Sequence, residues 1–166
     1  MRFITNPEKR IIGNLIEDIV GSLIEKTMEP LMVTNNQNDV FDKETPRYLI
    51  QIKGCRMFGN SISTKSNGKK YHYNKKGKFI VPKKQLQELK LLAKQMNKEV
   101  LYWFSVYYGD EPKSSNIIHC YLSLEDVEKI TKKQKGTMSI YWDKVFRNEN
   151  DIIKLQHAGF YREVDL

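Results

Sequence analysis

A run of apolar and aromatic residues from Glu99 to Tyr108 constrains the fold of this chain more than any other feature. It reads Glu-Val-Leu-Tyr-Trp-Phe-Ser-Val-Tyr-Tyr and carries a charge only at its first position. A continuous apolar run of this kind is typical of a strand that is buried on both faces. We therefore predict a central strand in a sheet that is covered by other elements on each side.

The remaining periodicity predicts an α/β chain of the α+β kind. Apolar residues recur at helical spacing from about Pro7 to Met28 and again from Leu86 to about Asn97, with Pro82 suited to a helix first turn. Alternation from Tyr48 to Lys53 predicts a strand. The further predicted pieces are short strands at Leu31–Val33, at Val40–Phe41, within 54–62, ending at Phe79–Val81, at Ile117–Leu122 and at Met138–Trp142, and helical pieces at Leu124–Thr131, capped by Ser123, and at Asp151–His157.

No change of composition marks a domain boundary, so we predict a single domain over residues 1–166. Its core would span about 7–108 in the order helix, three strands, helix, strand. Residues 109–166 would form a C-terminal extension of short strands and helices. The loop from Gly109 to Asn116 is a turn in this interpretation and not a linker.

Positive charge is concentrated in one third of the chain. Lys and Arg outnumber Asp and Glu by 28 to 20, and no acidic residue occurs between Glu44 and Glu88. Lysines grouped in this way predict a surface that follows phosphates, and interleaved His, Tyr and Asn side chains can reach bases. A solubilising lysine loop is the alternative. The predicted DNA contacts are Lys69, Lys70, Tyr71, His72, Asn74, Lys75 and Lys76, with His72 and Asn74 as the base readers.

A candidate metal site lies at the start of this basic region. Asp39 precedes the predicted strand that carries Gln51 and Lys53, and the period of two places Gln51 and Lys53 on one face, about 7 Å apart. Mg²⁺ prefers oxygen ligands and keeps several waters, so it needs few protein ligands. A lysine beside it can steady the attacking water or the charge on a phosphate.

Gly13, Glu17 and Gly21 are spaced four apart on the first predicted helix and so share one stripe. Glycine inside a helix costs roughly 1 kcal/mol relative to alanine. Two glycines around a glutamate therefore favour an open site that admits a phosphate backbone or a hydrated metal. The alternative is a solvated glutamate between glycines that allow close helix packing.

The order of elements, with an acid on the early strands and x-Gln-x-Lys on the next, resembles the PD-(D/E)XK nuclease superfamily. Within it the chain is most similar to small type II restriction endonucleases of the PvuII kind. The likeness extends loosely over residues 38–146 through Asn38-Asp39-Val40-Phe41-Asp42, Trp103–Gly109 and Leu122–Trp142.

This resemblance implies a restriction-endonuclease-like αβββαβ core and a homodimeric, Mg²⁺-dependent endonuclease that cuts duplex DNA at a specific sequence. By it, Asp39 matches the first metal-binding acid, Gln51 the position of the second acid and Lys53 the catalytic lysine. Gln51 departs from the usual Asp or Glu and supplies an oxygen without charge, so Asp42 or Glu17 would have to restore that charge.

Other functions fit the same residues. Holliday-junction resolvases and some homing endonucleases of this fold place a glutamate of the first helix ahead of the strands that carry the site. Here Glu17 precedes Asp39 by 22 residues. A non-catalytic DNA- or RNA-binding module is the alternative from a different class. The acid in a basic groove favours catalysis, because binding alone does not require it.

The other residues that could carry chemistry do not form a pattern. Cys55 and Cys120 lack metal-ligand spacing and are expected to be buried free thiols. His119 and His157 have no partner at ligand spacing, and Glu125, Asp126 and Glu128 are expected on the exposed face of a short helix. No apolar run is long enough to span a membrane, and the N-terminal residues lack a signal-peptide core, so we expect a cytoplasmic protein.

Overall fold

The structure is a computed structural model that describes residues 6–32, 40–132 and 137–146. Its centre is a four-stranded mixed sheet with the order β1-β2-β6-β7. The strands are β1 (Lys43–Glu44), β2 (Tyr48–Arg56), β6 (Glu99–Tyr107) and β7 (Ile117–Ser123). β2 and β6 are parallel, and the pairs at either side of them are antiparallel. The predicted buried central strand is therefore confirmed as β6.

Helix α1 (Asn6–Thr27) covers one face of this sheet. Its buried residues follow the predicted helical period and pack on the residues of β2 and β6 that point to the same side. This cluster contains Ile16, Val20, Leu23 and Ile24 of the helix together with Ile50, Ile52, Leu101 and Trp103 of the sheet.

Helices α2 (Lys83–Met96) and α3 (Leu124–Thr131) cover the opposite face. Leu86, Leu89 and Ala93 of α2 join Leu49, Tyr102 and Phe104 of the sheet in a second cluster. Asn97 ends α2 in the left-handed conformation, and the Ser123 side chain caps α3 by accepting a hydrogen bond from the Asp126 backbone N–H. Both helix boundaries were predicted closely.

Three strands between β2 and α2 in the chain take part in two smaller strand pairs. β3 (Phe58–Thr64) and β4 (Lys70–Lys76) form an antiparallel hairpin, and β5 (Lys78–Pro82) pairs with β8 (Thr137–Tyr141). Gly77 joins the two pairs, and it passes so close to the Arg56 carbonyl oxygen that a Cβ would not fit there. The short helix α4 (Trp142–Val145) follows β8 and packs against the base of the hairpin.

Several predictions need correction. Val40 and Phe41 are not a strand, nor are Leu31 and Met32; the edge strand is instead the two-residue β1. β4 was not predicted as a strand, because all seven of its residues are exposed and burial leaves no pattern in its sequence. Val33 and the predicted helical piece at Asp151–His157 lie outside the described residues. No helix in the described ranges is long and apolar enough to cross a membrane.

Candidate active site

Asp42 is fixed to the edge of the central sheet through both its backbone and its side chain. Its N–H donates to the Ile50 carbonyl over 3.0 Å, and its carboxylate accepts the Ile52 N–H over 2.7 Å. Extending the pairing of Lys43 with Ile50 by one residue brings Asp42 opposite Gln51. The sheet itself therefore holds this carboxylate beside the predicted site residues.

Gln51 is buried, and its side-chain oxygen has no hydrogen-bond partner among the described residues. Tyr102 is its neighbour in the parallel pairing of β2 and β6, and the Tyr102 hydroxyl is buried and lacks a partner in the same way. Buried polar groups normally find a partner, because leaving one unpaired costs about 1–3 kcal/mol. Two such atoms therefore lie on adjacent strands of the sheet.

Lys53 lies two residues after Gln51 and shares its face of β2, as predicted. Its ammonium group donates to the side-chain oxygen of Gln85, in the first turn of α2, over 2.7 Å. The parallel crossover from β2 to β6 places α2 over this face of the sheet, which explains how a residue 32 positions later reaches Lys53. Gln85 therefore sets the position of the lysine.

Glu17 and Lys43 complete the group from the side of α1. The carboxylates of Glu17 and Asp42 interact electrostatically, and Lys43 interacts with both. The Lys43 side chain lies against Gly21, where a Cβ would be 3.5 Å from Lys43 Cε. The space beside Gly21 is thus occupied by Lys43. At Gly13, by contrast, an added Cβ would have no atom within 4 Å.

Burial disfavours the ionised form of three of these residues, Glu17, Asp42 and Lys53. It raises the pKa of Glu17, with a further increase from the Asp42 carboxylate and an opposing effect of Lys43. It also raises the pKa of Asp42, against the Ile52 N–H and the Lys53 ammonium. Burial lowers the pKa of Lys53, against the attraction of Asp42. Such shifts concentrate at functional sites, although structural ion pairs show them as well.

The structure thus connects four residues named from the sequence: Glu17 interacts electrostatically with Asp42, Asp42 interacts with Lys53, and Gln51 lies opposite Asp42 at the edge of the sheet. Asp39, the predicted first metal-binding acid, lies outside the described residues. Within the described part of the chain, no three side chains of His, Cys, Asp or Glu gather as a metal-binding group. Two carboxylates with an amide oxygen remain a suitable set for Mg²⁺, which binds through one or two carboxylates and retains waters.

Sequence reasoning missed Gln85, Tyr102 and Lys43. Gln85 and Tyr102 carry no motif, and only the crossover brings them to Lys53 and Gln51. Burial and the nearby Asp42 carboxylate raise the pKa of Tyr102, so the hydroxyl stays protonated and can donate a hydrogen bond. Alternation along the aromatic strand could have placed Tyr102 on the same face of the sheet as Gln51. It could not have shown that Tyr102 lies close enough to Asp42 for the two to interact.

The predicted DNA-binding residues lie on the exposed hairpin and in the turn between its strands. Their alternation divides them between two faces. Lys70, His72, Asn74 and Lys76 share one face, and Tyr71, Tyr73 and Lys75 share the other. The hairpin is anchored at its base, where Phe58 packs edge-on against Trp142 and Lys76 pairs with Asp143 over 2.6 Å.

His119 and the cysteines are parts of the core. Trp103 Nε1 donates to His119 Nδ1, which therefore carries no proton, and burial lowers the pKa of this histidine to about 3. Cys120 is buried and Cys55 half-buried, and both are free thiols. Glu125, Asp126 and Glu128 lie in α3, where Glu125 pairs with Lys129 and Glu128 with Lys90. His157 lies outside the described residues.

Comparison with known proteins returned no relative: no protein-family model, no curated protein and no solved structure matches this chain.

Proposed function

We propose that this protein is a Mg²⁺-dependent DNA endonuclease with a restriction-endonuclease-like core. The observation that carries the proposal is the buried oxygen of Gln51, which has no partner among the described residues and lies between a fixed carboxylate and a part-buried ammonium group. Buried polar atoms of a core normally have a partner, and a hard cation would accept this oxygen as a ligand.

Asp42 and Gln51 would hold the ion, with Glu17 as an outer or second-metal group and Asp39 as the further acid that the resemblance implies. Bound Mg²⁺ would polarise the scissile phosphate and favour ionisation of a water. Lys53, held by Gln85, would stabilise the negative charge that develops on the phosphate, since a preorganised cation in a water-poor site acts where charge builds up. The raised pKa of Glu17 and Asp42 would fall towards ordinary values beside the cation.

The hairpin formed by β3 and β4 supports DNA as the substrate. A two-stranded ribbon fits the major groove of duplex DNA, which is about 12 Å wide. All residues of β4 are exposed, and lysines occur on both faces together with tyrosines that can stack. Two copies of the chain would place two such hairpins on a palindromic site. This is the arrangement expected of a homodimeric restriction enzyme.

The position of Glu17 favours a second candidate. Holliday-junction resolvases and certain homing endonucleases of the same fold place a glutamate of the first helix ahead of the strands that carry the site. Glu17 of α1 precedes β1 and β2 in this way, and it interacts electrostatically with the Asp42 carboxylate. A branched or distorted substrate, or a long asymmetric site, would then replace the short palindrome.

Variants of Gln51 test the proposal at the residue that carries it. Gln51→Glu should keep cleavage or lower the Mg²⁺ concentration at half-maximal rate, because it restores the missing charge. Gln51→Ala should lower the cleavage rate and raise that Mg²⁺ concentration. The measurement is a Mg²⁺ titration of single-turnover cleavage on plasmid DNA and a four-way junction.

Gln87→Ala, on the exposed surface of α2, is the matched control and should behave as wild type. Equal Mg²⁺ dependence of wild type and Gln51→Ala would remove Gln51 from the metal site. DNA binding without cleavage under any condition would instead support the non-catalytic binding module.

A further inference from the structure

A cleft of about 400 Å³ lies between α1, the end of β2 and β5, directly beside the candidate active site. Glu17 and Ile52 both line it, and the Ile52 N–H is the group that holds the Asp42 carboxylate. The cleft therefore adjoins the proposed metal site through Glu17, which interacts electrostatically with Asp42. Asp42 and Gln51, which would hold the ion, do not line the cleft, and neither does the hairpin.

Cations surround the cleft. Lys9, Arg56 and Lys78 line it, against the single carboxylate of Glu17 at the metal-site end. The Arg56 side chain is 9% exposed; its guanidinium pairs with Asp110, while its Nε–H is buried and has no acceptor among the described residues. An arginine at the wall of a cleft is suited to a phosphate oxygen, because guanidinium donors match phosphate geometry.

The walls between these charges are apolar. Ile12, Ile16 and Ile52 line the cleft together with Tyr107 and Ile80, and Ile80 is 44% exposed although it is a large apolar residue. Gly13 opens the side formed by α1, since a Cβ there would meet nothing within 4 Å. An apolar cavity with cations around it fits a planar base attached to a phosphate.

We propose that this cleft holds one unpaired nucleotide of the DNA strand next to the scissile phosphate. The inference rests on the proposed nuclease function for the identity of the ligand, and it adds a substrate class. A base that remains stacked in a duplex cannot enter a cavity of this size, whereas an extruded or unpaired base can. The preferred substrate then has an unpaired nucleotide near the cut, as in a bulge or a branch.

Filling the cleft at Gly13 is the direct test. We would measure binding in EDTA, where no cleavage occurs, for a duplex with one bulged nucleotide and for the fully paired duplex. Wild type and the control Gly13→Ala should prefer the bulged duplex by at least about 10-fold, which is about 1.4 kcal/mol. Gly13→Phe should lose this preference and bind the paired duplex within about 2-fold of wild type.

A second pair of variants avoids the helix. Ile80→Glu places a carboxylate at the cleft and should remove the preference, whereas Ile80→Leu should keep it. Removing only the base of the bulged nucleotide should lower wild-type binding to the level of the paired duplex. Thermal unfolding would show that each variant is folded.

The inference is overturned if wild type shows no preference, if Gly13→Phe and Ile80→Glu both retain it, or if they weaken both duplexes equally. Cleavage in Mg²⁺ separates the two proposals. A bulge preference without cleavage would contradict the nuclease and leave the cleft assignment intact. Cleavage without a bulge preference would contradict the cleft assignment alone.

Discussion

The candidate active site and the hairpin of β3 and β4 are formed by neighbouring parts of the chain, but they differ in how firmly their side chains are held. β2 begins in the core, and its functional side chains Gln51 and Lys53 are held by the sheet and by Gln85 of α2. β4 lies wholly at the surface, and the hairpin contacts the rest of the protein through Phe58 and Lys76 at its base.

This difference in burial corresponds to a difference in role: one region would position catalytic side chains, and the other would bind DNA. Side chains that act on a reacting phosphate must be fixed, which requires packing and costs the burial of unpaired polar atoms. Lysines that follow a phosphate backbone act through charge and need no such support. We therefore expect substitutions in the first region to affect chemistry and substitutions in the second to affect affinity.

The largest expected effect is on chemistry. Lys53→Ala should lower single-turnover cleavage by at least ~10²-fold and leave DNA affinity nearly unchanged, because Lys53 acts on charge that develops in the transition state. Lys83→Ala, an exposed lysine two residues before Gln85, is the control and should cut normally. Unchanged cleavage by Lys53→Ala would place the catalytic group elsewhere.

The next effect is on affinity and its salt dependence. Replacing Lys69, Lys70 and Lys75 with glutamine should lower the slope of log affinity against log salt by roughly 2.7, at about 0.9 per phosphate contact. Lys76 is left in place because it pairs with Asp143. The rate of cleavage of fully bound DNA should stay close to that of wild type.

A triple glutamine variant of the exposed Lys83, Lys94 and Lys132, in α2 and at the end of α3, provides the charge-matched control and should keep the wild-type slope. If this control lowered the slope and the hairpin variant did not, the phosphate-binding surface would lie on α2 and α3 and not on the hairpin.

A smaller effect concerns stability and pH. The pKa of Glu17 is raised in the folded protein, so the folded state holds this proton more tightly than the unfolded chain does. The ionised carboxylate therefore destabilises the fold increasingly as pH rises above the ordinary value of 4.5. Glu17→Gln should melt at a higher temperature than wild type near neutral pH.

This difference in melting temperature should shrink towards zero as the pH falls to about 4, where the carboxyl groups of both states take up protons. Glu25→Gln, at an exposed position of the same helix, should show no such trend. A stability gain that does not depend on pH would mean that Glu17 acts through packing.

The smallest effect is expected from shortening the hairpin. Replacing residues 61–73 with Asn-Gly joins Asn60 to Asn74, which already face each other across the ladder, through a turn that suits a two-residue loop. The free energy of unfolding should change by no more than about 1 kcal/mol, because none of residues 61–73 belongs to the buried core and halving a loop changes its closure entropy by only about 0.6 kcal/mol. Truncating the buried Phe104 to alanine should cost about 3–5 kcal/mol by comparison.

The sequence predicted elements wherever burial left a pattern in it. α1 and α2 repeat apolar residues at helical spacing against the core, β6 is a continuous apolar run, and the boundaries of all three agree with prediction to within a few residues. β4 has no buried face and therefore gave no signal, and β1 is too short to show a period.

The site was predicted in part for the same reason. Alternation placed Gln51 and Lys53 together correctly, because both belong to one strand. The contacts of Asp42 with Ile52 and of Lys53 with Gln85 depend on how separate elements pack, which no local pattern records. The proposed function depends on the Gln51 oxygen, and only its surroundings in the fold show that it is buried without a partner among the described residues.

The most direct test of the account is whether the carboxylate fixed on the sheet edge is required for metal-dependent cleavage. Wild type and Asp42→Asn would be incubated with supercoiled plasmid and with a four-way junction, with Mg²⁺ and with EDTA. We predict cleavage of at least one substrate by wild type in Mg²⁺ alone, and a loss of at least ~10²-fold in Asp42→Asn with binding retained. Equal cleavage by the two proteins, or no cleavage of either DNA by wild type, would contradict the account.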